Sequence, residues 1–450
     1  MKIIHTSDWH LGQNFMGKTR RNEHEKFLDW LIRSAVAEGV SVIIVAGDVF
    51  DTGAPPSYAR EMYNDFVVRL QSTGVQLIVL GGNHDSVSTL SETRSLFALM
   101  GVHVIPGVSS DLEAQVIRIN EMEEGGGLVV CAIPFLRPRD IVFSIAGQTG
   151  TEKQFALQEA ISEHYQRVFS LAEKARAEIL HATGTSPPII MTGHLTTVGA
   201  SSSDSVREIY IGSLEAFPSS GFPPADYIAL GHIHRMQKVG GVEHIRYSGS
   251  PIPLSFDELN TEKTVLLVEF AEGRFAQAIP KSIPRFQEMK SIRGSIEEVE
   301  RDIQSLVGAI HRQPTSEATS IWLDIEIIGG EYLEGLQQRV GPLVDGTPIE
   351  ILSIRRQREV VTRGIDSHAY ETLKELSPRD VFERRLEQEE WSGKELREKK
   401  SRMIGMFNDV VEELTSPGAS ELSNTVDHTP DYVLEDSEIH EGEMGGSERT

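Results

Sequence analysis

The chain has 450 residues, with 43 Lys and Arg against 67 Asp and Glu, a net charge of −24. That length predicts two or three domains. The acidic balance argues against a basic, duplex-binding surface spread over the whole chain. The single cysteine excludes an intramolecular disulfide, and no segment reaches the ~20 apolar residues that span a bilayer.

In chain order, five short apolar, β-branched runs read as buried strands that each break at a polar cluster: Lys2–Thr6, Val42–Ala46, Gln76–Leu80, Ile189–Thr192 and Tyr227–Leu230. Between them lie helical patterns. His24–Glu38 places Phe27, Leu28, Leu31, Ile32 and Ala35 on one face, and Ser57–Thr73 does so with Tyr63, Phe66, Val67 and Leu70. The alternation predicts a layered α/β fold. Cys131 sits in the apolar run Leu128–Ile133 and reads as a buried small hydrophobe.

A second region begins near Ile283. Ser295–Ile310 reads as a helix, Ile321–Ile327 as a strand, Glu331–Val340 as a short helix and Ile349–Ile354 as a strand, a small α+β unit without chemical motifs. Ser367–Leu414 is charged and helical, with more apolar positions than two isolated helices can bury. Both a partner-docking surface and packing within the chain fit that pattern. Ser416–Thr450 holds nine acidic residues and one basic residue and reads as disordered. The tail thus concentrates the negative charge, and local charge is the better guide to partners. The expected spans are 1–280, 281–360, 365–415 and 416–450. Met1-Lys2-Ile3-Ile4 passes straight into the first cluster without a charged-then-apolar leader, which predicts a cytoplasmic, nucleoid-associated protein with no membrane contact.

The clusters carry the chemistry. They are Asp8-Trp9-His10, Gly47-Asp48, Gly81-Gly82-Asn83-His84-Asp85, Gly193-His194 and Gly231-His232-Ile233-His234. Ligands of layered α/β sheets collect at the carboxyl ends of strands, where these clusters fall. Asp, Asn and His together suit a two-metal hydrolytic centre, whose reaction class is metal-assisted attack on a phosphate ester. One Asp-x-His or Gly-His pair means little; five in this order make a specific pattern.

On these residues the chain resembles the calcineurin-like metallophosphoesterase superfamily, and within it the SbcD nuclease-subunit family. Ser7–Gln13, Val45–Ala59, Pro134–Asp140, Gly193–Ala200, Arg207–Gly212, Phe222–His234 and Arg246–Asp257 carry the closer likeness, which extends more loosely to about residue 414. The resemblance implies an α/β/β/α sandwich with a small α+β capping domain and a C-terminal helical partner-binding region. It implies that Asp8, His10 and His234 hold one metal, that Asn83, His194 and His232 hold the other, and that Asp48 bridges. His84 would sit over the scissile phosphate, stabilising charge there or protonating the leaving 3′-oxygen. Two divalent ions, manganese by preference, are the implied cofactors.

One position departs from the wider family, many of whose members carry a histidine three residues after the bridging Asp. Here it is Asp51. A carboxylate cannot donate to phosphate as an imidazolium does, so Asp51 reads either as a partner orienting a metal-ligating histidine or as a loop cap.

The resemblance further implies a DNA substrate: double-strand 3′→5′ exonuclease and hairpin or single-strand endonuclease activity in repair and recombination. The expected partner is the coiled-coil ATPase SbcC, with two copies of each protein. By the same resemblance, ATP hydrolysis would belong to that partner. Lys18, Arg20, Arg21, Arg137, Arg139 and Arg207 lie near the clusters and are candidate DNA contacts. The metal set alone leaves open a hydrolase of small phosphodiesters or phosphoproteins, and a tethering protein with a vestigial site.

Overall fold

The computed structural model describes residues 1–119, 127–142, 149–198, 200–201, 203, 205–206, 216–312, 320–329 and 335–357. Two six-stranded sheets form its centre. In the first, the parallel strands Lys2–Thr6, Val42–Val45, Gln76–Leu80 and Val102–Ile105 lie side by side, and the antiparallel hairpin Thr264–Ala271/Arg274–Ser282 extends the edge next to Lys2–Thr6. In the second, Leu128–Cys131, Ile189–His194, Tyr227–Gly231 and Ile245–Tyr247 run parallel, with antiparallel strands Val116–Ile119 and Gln237–Lys238 at the edges.

The strands read as unbroken apolar runs because both faces of each sheet are covered. Ile3, Val42, Ile44, Ile78 and Leu80 face the second sheet, where they meet Val130, Ile190, Tyr227 and Ala229. The alternate residues Ile4, Ile43, Val45, Leu77 and Val79 face the helices Arg21–Glu38 and Ser57–Gln71. The outer face of the second sheet packs on a helix that the hydrophobic pattern did not reveal, Gly150–Thr183, through Leu157, Ile161, Tyr165, Val168 and Ala172. A Thr149–Glu152 capping box starts that helix and Gly184 ends it, so local signals set both boundaries. Cys131 is buried in this layer, as expected. The layer order is therefore helix, sheet, sheet, helix. No described helix is long and apolar enough to cross a membrane.

A separate three-stranded parallel sheet follows, Met289–Gly294, Ile321–Ile328 and Ile349–Gln357, covered by helices Ile296–Arg312 and Leu336–Val344. The expected helix Glu331–Val340 is thus displaced toward the C-terminus, and residues 330–334 lie outside the described set. The expected helical region Ser367–Leu414 and the acidic tail lie outside it entirely.

Phe15, Phe256, Met289 and Trp322 form the apolar junction between this sheet and the two large ones. Phe15 and Trp322 stack at 5.7 Å, and the Arg20 guanidinium lies over both rings. Arg20 is 1 % exposed. It forms a two-pronged ion pair with buried Glu23 and donates to the Pro253 carbonyl at 2.7 Å. A charge held this way must keep its partner, since removing one member of a buried pair costs about 3–5 kcal/mol. Arg20→Ala should therefore lower the urea midpoint by that equivalent, while the double change Arg20→Met/Glu23→Leu should recover most of it; equal midpoints for Arg20→Ala and the parent would refute this.

Candidate metal centre

Parallel strands leave their carboxyl ends on one side, and here both sheets present that side to the same place. The loop after Lys2–Thr6 and the loop after Val42–Val45 run together: Asp8 N donates to Gly47 O at 3.0 Å and His10 N to Asp48 O at 3.1 Å. Between Asp8 and His10, Trp9 turns into the core, edge-on to Phe27 and Phe66, with its Nε1 on Thr6 Oγ1 at 3.0 Å. The second sheet is tied in by two bonds. His194 Nδ1 donates to the Ala46 carbonyl at 2.8 Å, and His232 N donates to Asp8 Oδ1 at 2.9 Å.

Close packing explains the glycines at two positions. A Cβ on Gly47, whose φ is 94°, would fall 2.3 Å from His194 Nδ1. A Cβ on Gly82 would fall 2.1 Å from Asp48 Oδ1. Asp8, His10, Asp48 and His232 themselves adopt positive φ, of 54°, 49°, 51° and 92°. Such residues are uncommon outside glycine and concentrate at functional sites.

Among the described residues, three groups of side chains converge closely enough to share a cation: Asp8, His10 and His234; His10, Asp48 and His84; and Asp48, His194 and His232. All members of the expected metal set except Asn83 appear in them, and Asn83 Oδ1 lies 2.9 Å from His194 Nε2 and 3.2 Å from His232 Nδ1. The donor inventory fits a cation. The Nδ1–H of His194 is used on Ala46, so in the neutral ring Nε2 is a lone pair. It faces two further acceptors, Asn83 Oδ1 and, at 3.2 Å, Asp48 Oδ2. Asp48 Oδ2, His10 Nε2 and His232 Nε2 are buried without a hydrogen-bond partner. With the rings neutral, such converging lone pairs are unfavourable in a dry interior unless a cation, whether a proton or a metal ion, joins them.

Protonation in the apo site follows the same logic. Burial opposes charge on His194, yet Asp48 and Asp8 raise its pKa to about 9. Burial likewise opposes charge on His10, and Asp51, Asp48 and Asp8 outweigh it. Burial would raise Asp48, but the His194 and His10 imidazoles hold it well below the usual carboxylate range. Burial and the neighbouring His194 keep His232 neutral.

The surrounding residues fix these side chains. Asp51 Oδ1 lies 3.1 Å from His10 Nδ1, and the Asp51 carbonyl accepts from His84 Nδ1 at 2.7 Å. Asp51 therefore orients a histidine of the metal set and is not merely a loop cap. His84 is held from both ends, its N–H donating to Asp48 Oδ1 at 2.9 Å. Asp85, which the sequence places in the Gly81–Asp85 cluster without a role, accepts from the backbone N–H groups of Gly82, Val49 and Phe50 at 2.8–3.1 Å. Burial and Asp48 raise its pKa to about 6. Glu258 and Lys263, 3 % and 7 % exposed at the side chain, pair at 2.6 Å behind His234. Sequence reasoning misses both, because an isolated Glu and Lys in a loop carry no pattern.

The candidate DNA contacts divide. Arg20 is corrected: its guanidinium is enclosed by Glu23, Phe15 and Trp322 and has no surface to offer. Lys18 pairs with Glu350 and Arg21 with Glu25, both on exposed stems. Arg137 donates to the Asp85 carbonyl at 2.8 Å and so braces the Asn83–Asp85 loop. Arg139 is 81 % exposed. Arg207 lies outside the described residues.

Comparison with known proteins agrees with this geometry. Residues 1–236 match the family model described as calcineurin-like phosphoesterase. Residues 285–390 match the model SbcD_C, described as a type 5 capsule protein repressor C-terminal domain. The chain is 50% identical to the SbcD component of the SbcCD nuclease of Escherichia coli K12 over 392 residues, covering 87% of this chain and 94% of that protein. The chain belongs to the SbcD nuclease-subunit family. It is a phosphodiester hydrolase on the calcineurin-like fold. The SbcD proteins of Rhodobacter capsulatus and Bacillus subtilis are 35% and 31% identical, covering 63% and 61% of this chain and 69% and 68% of theirs. A β-glucosidase from Exiguobacterium marinum aligns over 79% of this chain and 88% of its own, but at a TM-score of 0.19 and 10% identity it carries no argument.

Asp85→Ala would strip three buried N–H groups of their acceptor, each worth about 1–3 kcal/mol. The metal-free protein should lose roughly 3 kcal/mol or more in chemical denaturation; a loss under about 1 kcal/mol would show that water replaces the carboxylate.

Proposed function

We propose that this chain is the metal-dependent nuclease component of an SbcC–SbcD assembly and hydrolyses DNA phosphodiester bonds, as a double-strand 3′→5′ exonuclease and as an endonuclease on hairpins and single strands. The observation that carries the reading is the sharing of Asp48: its carboxylate lies between the His10 group and the His194–His232 group. Asp8, His10 and His234 would hold one cation and Asn83, His194 and His232 the other, with Asp48 common to both. Carboxylate, amide oxygen and imidazole suit manganese, and this donor set contains no thiolate to favour structural zinc. Such a pair supplies charge withdrawal from the phosphate oxygens and activation of water.

The chain's own contribution is placement. His84 donates Nδ1–H to the Asp51 carbonyl, which fixes the tautomer and leaves Nε2 toward the site. From there it would serve the phosphate and the leaving 3′-oxygen as a proton donor when Nε2 also carries a proton, that is, as an imidazolium. Its backbone bond to Asp48 sets its distance from the bridging carboxylate. Residues 1–280 are the nuclease region and 281–360 a cap. Residues 365–415 dock SbcC, in a two-plus-two cytoplasmic assembly in which SbcC supplies ATP hydrolysis and much of the DNA surface. Lys18, Arg21, Arg137, Arg139 and Arg207 remain the candidates for phosphate contact.

The test is end-labelled duplex and hairpin DNA with manganese, with and without SbcC and ATP. The parent protein should cut DNA, a chelator should abolish cutting, and His84→Ser should reduce turnover about 10²–10⁴-fold with manganese occupancy unchanged. Loss of metal in His84→Ser would overturn its role. Hydrolysis of small phosphate esters with DNA left intact even beside SbcC would favour another branch of the superfamily.

A further inference from the structure

Behind His234 lies a polar network that the metal set does not include. Its centre is Glu258, a carboxylate in a short turn, 2 % exposed. Oε1 accepts from Ser203 Oγ at 2.8 Å and from Ser205 Oγ. Oε2 accepts from Leu254 N at 3.0 Å and from Lys263 Nζ at 2.6 Å. Lys263 Nζ also donates to the His234 carbonyl at 3.0 Å and to Ser250 Oγ at 2.7 Å.

The direction of these bonds is fixed by chemistry. Ser205 has one hydroxyl proton, and a carboxylate can only accept it. Ser205 Oγ is then left with lone pairs toward His234 Nδ1, 2.6 Å away. That imidazole nitrogen must be the donor, so His234 carries its proton on Nδ1 and presents Nε2 as a lone pair toward Asp8 and His10. Lys263 holds the other half of the same residue by its carbonyl. One ion pair thus sets both the tautomer and the backbone position of one histidine.

We propose that Glu258 and Lys263 are positioning residues for metal binding, acting on the Asp8–His10–His234 group through Ser205 and the His234 carbonyl. The reason to keep charges here is specific. A buried ion pair adds little net stability over well-packed apolar residues, whereas partners behind a metal-binding imidazole tune affinity about 10–100-fold. The proposal rests on reading His234 as a ligand.

The experiment is a titration of the metal-free full chain with manganese, read by calorimetry and by the free-ion spin signal, for the parent, Glu258→Gln, Glu258→Gln/Lys263→Met and His234→Asn. The parent should bind two ions, and His234→Asn should lose one site. Both Glu258 variants should weaken one site about tenfold or more and leave the other unchanged. The double variant leaves no buried charge unpaired, so it provides a folded protein if Glu258→Gln alone does not fold. Thermal unfolding without metal reports stability separately. Two sites of parental affinity in the double variant would overturn the proposal, whatever its stability. Two undisturbed sites in His234→Asn would instead overturn the reading beneath it, and the proposal with it.

Discussion

The structure turns on the carboxylate of Asp48. It is buried at the seam between two sheets, with one oxygen fixed by the His84 backbone and the other facing His10 and His194. Nothing larger than glycine fits at 82 beside it, nor at 47 beside the ring of His194. Around that one anionic group stand imidazoles on two sides and, next to it, Asp85, whose pKa burial and the Asp48 charge together raise.

Holding that arrangement requires strain and a rigid support. Four residues of the site adopt positive φ, at a cost of about 1–3 kcal/mol each. Backbone bonds between the loops at 8–11 and 47–49, and Trp9 anchored in the helical layer, offset it. The support is the apolar layer between the sheets, since the converging side chains come from both. Ile44, Ile78, Ile190 and Ala229 hold the sheets in register, and a shift of one sheet over the other would separate His194 and His232 from Asp8 and Asp48.

The motifs are legible in the sequence because parallel strands combine two local signals, a β-branched apolar run and a polar break, and repeat them in order. Lys2–Thr6 and Gln76–Leu80 fall where the pattern puts them. Asp51 is legible only in part: its place three residues after Asp48 suggests either a partner for a histidine or a loop cap, and the contact with His10 Nδ1 selects the first. What is not legible depends on residues brought together from afar. Glu258 meets His234 only after the chain passes through the second sheet. Arg20, among basic neighbours, looks solvated in the sequence; its burial comes from Phe15 and Trp322, which lie far apart along the chain. The helix Gly150–Thr183 also escapes the sequence reading; its Thr149–Glu152 capping box is the local signal that marks its start.

The junction at Phe15 and Trp322 couples the third sheet to the metal site. The hairpin of Asn14–Phe15 and Lys18–Thr19 leaves the Asp8–His10 loop and meets the third sheet through Phe15 and the Lys18–Glu350 pair. The third sheet is therefore mechanically continuous with the loop that carries Asp8 and His10.

In the proposed function two cations share Asp48. The most direct measurement is the electron paramagnetic resonance of the manganese-loaded chain. Two ions joined by one carboxylate, about 3.5–4 Å apart, should give an exchange-coupled spectrum, and Asp48→Ala should abolish the coupling. Two uncoupled six-line signals in the parent protein would contradict the account.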